Sequence, residues 1–156
     1  MHMLFGEYDC KLDEKGRFLF PAALLKQLPE PERADFVLSN GLDDCLYLYP
    51  LAVWQEELQR LQRLNQYQEK VREFRRKVMH GATPISLDGS KRVLVSKRLL
   101  EMKQLGKELI ILGAGDKFEI WDKQRYEARQ ADDSRDLAEL SEEVMGTLSH
   151  EDDRVS

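Results

Sequence analysis

The chain has 156 residues, 42% hydrophobic and 34% charged, the balance of one soluble domain or of two very small halves that share a core. No apolar run approaches the about 20 residues that span a bilayer, and Met1-His2-Met3-Leu4-Phe5-Gly6 has neither a basic region nor a long apolar stretch, so a cytoplasmic protein is expected. The net charge of −5 is unevenly spread: residues 1–79 hold 12 basic and 13 acidic side chains, residues 80–126 hold 9 and 6, and residues 127–156 hold 3 and 10. The acidity belongs to the tail, so the total does not exclude a nucleic-acid partner, whose affinity follows where cations cluster.

In chain order, residues 5–20 read as a strand, a polar loop at Asp13–Arg17 and a second strand. Pro21 then opens a short helix over Ala22–Gln27. The runs Phe36–Gly41 and Leu46–Tyr49, with Asn, Gly and Asp between them, predict a hairpin. Trp54, Leu58, Leu61, Leu64, Tyr67, Val71, Phe74 and Val78 recur at steps of three and four, which predicts one long amphipathic helix from about 51 to 79.

From residue 80 the opening pattern returns. At a constant offset of 75, Gly6 meets Gly81, Leu12 meets Leu87, Asp13 meets Asp88, Arg17 meets Arg92 and Leu19 meets Leu94. A short helix over Lys97–Gln104 and a hairpin of Leu109–Gly113 with Phe118–Trp121 complete the second copy. The acidic tail holds a helical segment around Leu137, Leu140, Val144, Met145 and Leu148, and 150–156 is expected to be disordered. The expected fold is α+β: two pseudo-symmetric halves, 3–53 and 80–126, joined by a long helix over 54–79 and followed by the tail, 127–156.

No catalytic constellation is visible. The histidines His2, His80 and His150 are not spaced from other ligand types as a metal site needs, and no nucleophile elbow, phosphate-binding loop or dinucleotide fingerprint is present. Gly113-Ala114-Gly115 reads as a hairpin turn. Cys10 and Cys45 lie far apart in apolar runs and read as buried free thiols. Neither a catalytic residue, a cofactor, a metal nor a small-molecule substrate is expected.

The repeated loop is the informative feature. An Asp at the start of such a loop accepts from backbone N–H groups ahead of it, so Asp13 and Asp88 are expected to structure the loops. Gly16 permits a positive φ and close approach of a ligand. Arg17 and Arg92 offer a planar fork for a guanine edge or a phosphate, and Lys15 and Lys91 add a second cation to each loop. A salt bridge between Asp13 and Arg17 within the turn is the alternative reading of the same residues. Lys11 and Lys97 are lesser candidates for phosphate contact. Arg72, Arg75, Arg76 and Lys77 form either a second basic patch or a solvated helix face paired to Glu69 and Glu73.

Asp13-Glu14-Lys15-Gly16-Arg17 with Pro21, the run from Asn40-Gly41 to Tyr49-Pro50 with Trp54, Phe74-Arg75-Arg76 before Gly81-Ala82, and Phe118-Glu119-Ile120-Trp121 together resemble the MraZ family, within the AbrB-like swapped-hairpin class of DNA binders. The resemblance covers residues 3 to about 148. It implies fused AbrB-like halves, assembly into a homo-oligomeric ring, and a nucleoid-associated transcription factor. The implied partner is double-stranded promoter DNA carrying direct repeats, in the operon of division and cell-wall genes that includes the family's own gene. Lys15, Gly16, Arg17, Lys91 and Arg92 are the residues it points to for DNA. Two rival classes stand beside it: an antitoxin-like or scaffold protein using the same core to bind a protein, and a hydrolase, for which no nucleophile–base pair is visible. In the second loop, Asp88-Gly89-Ser90-Lys91-Arg92, the glycine stands at 89, Lys91 precedes Arg92, and Ser96 replaces the family's proline. Lys91 restricts φ, so this loop is expected to differ in shape.

Overall fold

A computed structural model of the chain describes residues 3–132 and 135–155. Eight strands and six helices follow in the order β1 (Glu7–Lys11), β2 (Arg17–Leu19), α1 (Ala22–Leu25), β3 (Asp35–Asn40), β4 (Cys45–Pro50), α2 (Leu51–Gln62), α3 (Glu69–Met79), β5 (Thr83–Ser86), β6 (Arg92–Leu94), α4 (Lys97–Met102), β7 (Glu108–Gly113), β8 (Phe118–Asp122), α5 (Lys123–Gln130) and α6 (Leu137–Val155). The fold is α+β, and its halves are exchanged at their edges. The six-stranded sheet runs β1-β7-β8-β4-β3-β5, so each half lends its first strand to the hairpin of the other: β1 pairs with β7 and β5 with β3, both antiparallel.

A pseudo-twofold relates the halves. In the small ribbon β2–β6, Phe18 faces Val93, while Arg17 faces Leu94 and Leu19 faces Arg92. In the sheet, β4 meets β8 with Cys45 opposite Trp121 and Leu48 opposite Phe118. Exchanging the halves maps each of these pairings onto itself or onto the other.

Alternation along the strands builds two packed faces. Phe36, Leu38, Leu46, Leu48, Leu109, Ile111, Phe118 and Ile120 join Phe18, Phe20, Leu24, Val93, Val95 and Leu99 in one core. Ribbon and short helices therefore cover one face of the sheet. Phe20 lies at its centre, 5.6 Å from the Phe36 ring and edge-on to Phe118 at 5.1 Å. On the other face Tyr49 meets Trp54 of α2 at 5.4 Å. Burial of one such large side chain stabilises by about 1.5–3 kcal/mol.

The single helix expected over 51–79 is two helices. Asn65 causes the break: its side-chain Oδ1 accepts from Tyr67 N at 3.0 Å and its carbonyl from Gln68 N at 3.2 Å, a local turn that competes with helix continuation. No residue of α3 is fully buried. It is held through its last carbonyls instead, with the Ser39 hydroxyl donating to Val78 O at 2.7 Å and Asn40 Nδ2 to Lys77 O at 3.0 Å. These bonds satisfy groups that a helix end leaves orphaned.

Cys10 and Cys45 are free and buried; burial raises their thiols to about 11 and about 12 respectively. Unexpected from the sequence was α5, which follows β8 as α2 follows β4. The chain divides into residues 1–124 and 125–156. Within the second unit α6 runs through Val155, where disorder was expected from 150. Asp136 starts it by accepting from Glu139 N at 2.8 Å, and neither proline nor glycine occurs in 147–155 to stop it. Ser156 lies outside the described residues. No helix among the described residues is long and apolar enough to cross a membrane.

Candidate nucleic-acid interface

The two loops have one construction. In the first, Asp13 Oδ1 accepts from the N–H groups of Lys15 and Arg17, both at 2.9 Å, and the carbonyl of Asp13 accepts from Gly16 N at 3.0 Å. In the second, Asp88 Oδ1 accepts from Ser90 N at 2.9 Å and Arg92 N at 3.1 Å, and its carbonyl from Lys91 N at 3.0 Å. Those backbone bonds, the ones from Arg17 and Arg92 foremost, hold both carboxyls below the ordinary aspartate value.

The shape expected to change at the second loop is retained. Gly16 has φ 82° and Lys91 has φ 60°, whereas Gly89 has no positive φ. The lysine is driven into the left-handed region because its carbonyl has a fixed partner: Phe20 N donates to Lys91 O at 2.9 Å, as Val95 N donates to Gly16 O at 2.9 Å. Each loop is thus tied to the strand that follows the other loop. At Gly16 the constraint is also steric, because a Cβ would stand 2.9 Å from Val95 O. Ser96, in the place of Pro21, caps α4 by accepting from Leu99 N at 3.3 Å.

The ribbon places the cations. Phe18 and Val93 point into the core, leaving Arg17 and Arg92 on the outward face with Leu19 and Leu94, which are 62% and 54% exposed. The loops lie at opposite ends of this ribbon, separated by the span from Gly16 to Phe20, about 14 Å at strand rise. Lys15, Lys91 and Arg92 are exposed. The arginines differ in one respect. Arg17 Nε donates to Asp13 Oδ2 at 2.9 Å, the intraloop salt bridge read as the alternative, while Arg92 makes no ion pair among the described residues. The Arg17 charge also contributes, after the nearer bonds, to holding Asp88 low.

The lesser candidates are dispersed. Lys11 sits on β1 opposite Glu108. Lys97 opens α4 and borders a cavity that also takes in Lys15. Arg72, Arg75 and Arg76 line a different depression with Met79 and His80, and Lys77 pairs with Glu73 at 3.6 Å. Lys107 was missed from the sequence. It directly precedes β7, where the repeat offset shifts from 75 to 73, so a constant-offset alignment passes over it. No group of three His, Cys, Asp or Glu among the described residues is arranged to hold a metal.

The sequence model of the family described as "MraZ protein, putative antitoxin-like" matches the chain twice, over residues 3–77 and 78–147. The chain belongs to the MraZ family. Among its relatives, the "Transcriptional regulator MraZ" of Christiangramia forsetii is 38% identical over 92% of this chain and 93% of its own length. That of Flavobacterium psychrophilum is 35% identical over the full length of both, and that of Clostridium acetobutylicum 37% over 80% and 84%. The two MraZ matches divide the chain within two residues of His80, where the structural repeat begins again.

Proposed function

We propose that this MraZ chain is a transcriptional regulator that binds promoter DNA sequence-specifically through its two Asp-to-Arg loops. The observation that carries the reading is the ribbon, which fixes two copies of one loop at its ends and turns Arg17 and Arg92 outward together. Curated relatives named as transcriptional regulators support it. In this reading Arg17 and Arg92 meet base edges or phosphates while Lys15 and Lys91 add backbone affinity. Gly16 leaves room for the duplex, and Asp13 and Asp88 keep the loops in shape.

The target in this reading is a set of direct repeats upstream of the chain's own gene, in an operon of division and cell-wall genes. The protein acts in the cytoplasm on the nucleoid. Two loops per chain are few contacts for operon-level specificity, so copies assemble into a ring that engages tandem repeats together. Exposed Leu42 and Phe5, away from the ribbon's outward face, supply apolar surface for such an assembly.

Fluorescence anisotropy with a labelled duplex from upstream of the gene tests the reading. Affinity should exceed that for a scrambled duplex and fall steeply with salt, and light scattering should show a closed oligomer. Equal affinity for both duplexes would defeat the specific-binding reading, and a monomer at micromolar concentration would defeat the ring. The family description favours one alternative, a protein-binding antitoxin role. Loss of function on deleting 132–156 with DNA binding intact would support it.

A further inference from the structure

The pseudo-twofold makes the surroundings of the two loops comparable residue by residue, and their cations stand in different places. Beside the first loop lies an open cavity of about 380 Å³ with Leu12, Val95 and Leu100 in its walls and Lys15, Lys97 and Lys107 around it. All three lysines are exposed, and none makes an ion pair among the described residues. Asp13 and Glu14 also line the cavity; the Asp13 carboxylate is engaged by Arg17 and two backbone N–H groups, and Glu14 offsets one of the three lysines.

Matching hydrogen bonds identify the counterparts. Leu12 N donates to Lys107 O at 2.8 Å as Leu87 N donates to Ala34 O at 2.9 Å, so Ala34 replaces Lys107. Lys15 and Ser90 make the same bond to their loop aspartates, and Ala22 replaces Lys97 at the start of the short helix. Arg33 precedes Ala34 where Gly106 precedes Lys107. Its guanidinium is turned back onto the Leu28 and Lys26 carbonyls at 2.9 and 3.5 Å. Three lysines therefore surround the first loop's cavity beside Glu14, while at the second Ser90, Ala22 and Ala34 stand in their places, Gly89 in that of Glu14 and Lys91 in that of Gly16.

We propose that the cavity beside the first loop binds one backbone phosphate of the duplex through Lys15, Lys97 and Lys107, and that the second loop has no equivalent. This rests on the DNA-binding reading above and adds a polarity to it. A phosphodiester, a monoanion with two unesterified oxygens, suits ammonium groups that approach as flexible point charges. Each chain would then grip DNA unequally, anchored at one end of its ribbon.

The test measures salt dependence of binding to an unrelated duplex of about 30 base pairs, where phosphate contacts dominate. A Lys97→Ala/Lys107→Ala protein should bind about tenfold more weakly at low salt, with a log–log slope shallower by about 1. Lys70→Ala, a control on α3, should match the parent. The reciprocal protein, Ala22→Lys/Ala34→Lys, should steepen the slope. An unchanged slope in Lys97→Ala/Lys107→Ala, with Arg17→Ala still weakened, would overturn the phosphate site and leave the loops as the interface. Absence of binding to any duplex by the parent protein would overturn both. Inorganic phosphate binding at the cavity with the DNA slope unchanged would make it a free-anion site and also overturn the proposal.

Discussion

Lys91 holds a left-handed backbone, φ 60°, at the place where its counterpart Gly16 holds φ 82°. A side chain in that region costs about 1–2 kcal/mol that glycine does not incur, partly offset by the larger entropy glycine loses on folding. Lys91→Gly should therefore raise the urea midpoint, by up to about 1 kcal/mol in unfolding free energy, while weakening DNA binding through loss of the cation. Gly16→Ala should do the reverse to stability and lower it by more than about 1 kcal/mol, because its Cβ meets Val95 O at 2.9 Å. An equal response at the two positions would show that the φ angles do not matter.

Arg17 is held by Asp13 and Arg92 is not. A fork already oriented loses less freedom on meeting a base edge. Arg17→Ala should lower affinity for the promoter duplex by about 1–3 kcal/mol and shrink its preference over a scrambled duplex. Arg92→Ala should weaken both duplexes nearly equally. Titrating both proteins against both duplexes checks this, and equal loss of discrimination would make the two loops equivalent readers.

The loop carboxyls set an acid limit. Asp13 and Asp88 both titrate below the ordinary aspartate value of 3.8 in the folded chain. Their contribution is thus complete above that value and lost as pH falls through the lowered folded values. Loop structure should stay constant from pH 8 down to about 5 and loosen only in strong acid. NMR titration of the two carboxyl resonances measures this directly. A midpoint at or above 3.8 for either would contradict the hydrogen-bonded loop.

The Ser39 hydroxyl is fully buried and donates to Val78 O, the chief tether of a helix with no buried residue of its own. Ser39→Ala leaves that carbonyl without its donor and should cost about 1–3 kcal/mol. Hydrogen exchange should show the loss concentrated in the last turn of α3, with the ribbon amides unchanged. Uniform acceleration across the sheet would mean that the tether is global.

The duplication was legible because the loop motif and its flanking leucines survive at constant spacing, and the strands because their apolar runs are short and bounded by turn residues. The break at Asn65 was not legible, since the apolar stripe passes through it without losing step and a single Asx turn decides the matter. Lys91 misled in the opposite direction. Its residue type argues against a positive φ, but the hydrogen bond from Phe20 N comes from the other half of the chain and outweighs the local preference. Lys107 was hidden by a two-residue shortening between α4 and β7, which only the ladder of hydrogen bonds aligns.

Exchange of first strands between the halves also bears on how the chain is made. Glu7 finds its partner at Leu112, and Arg17 finds Leu94, so β1 and β2 wait for strands synthesised late, while β3 and β4 pair with each other and wait only at their outer edges. A nascent chain that has exposed only its first half presents two unpaired strand edges and half a core, a state prone to capture by other chains. The high sequence separation also makes closure slow compared with local hairpins. Translation must pass β8 before the sheet can close within one chain.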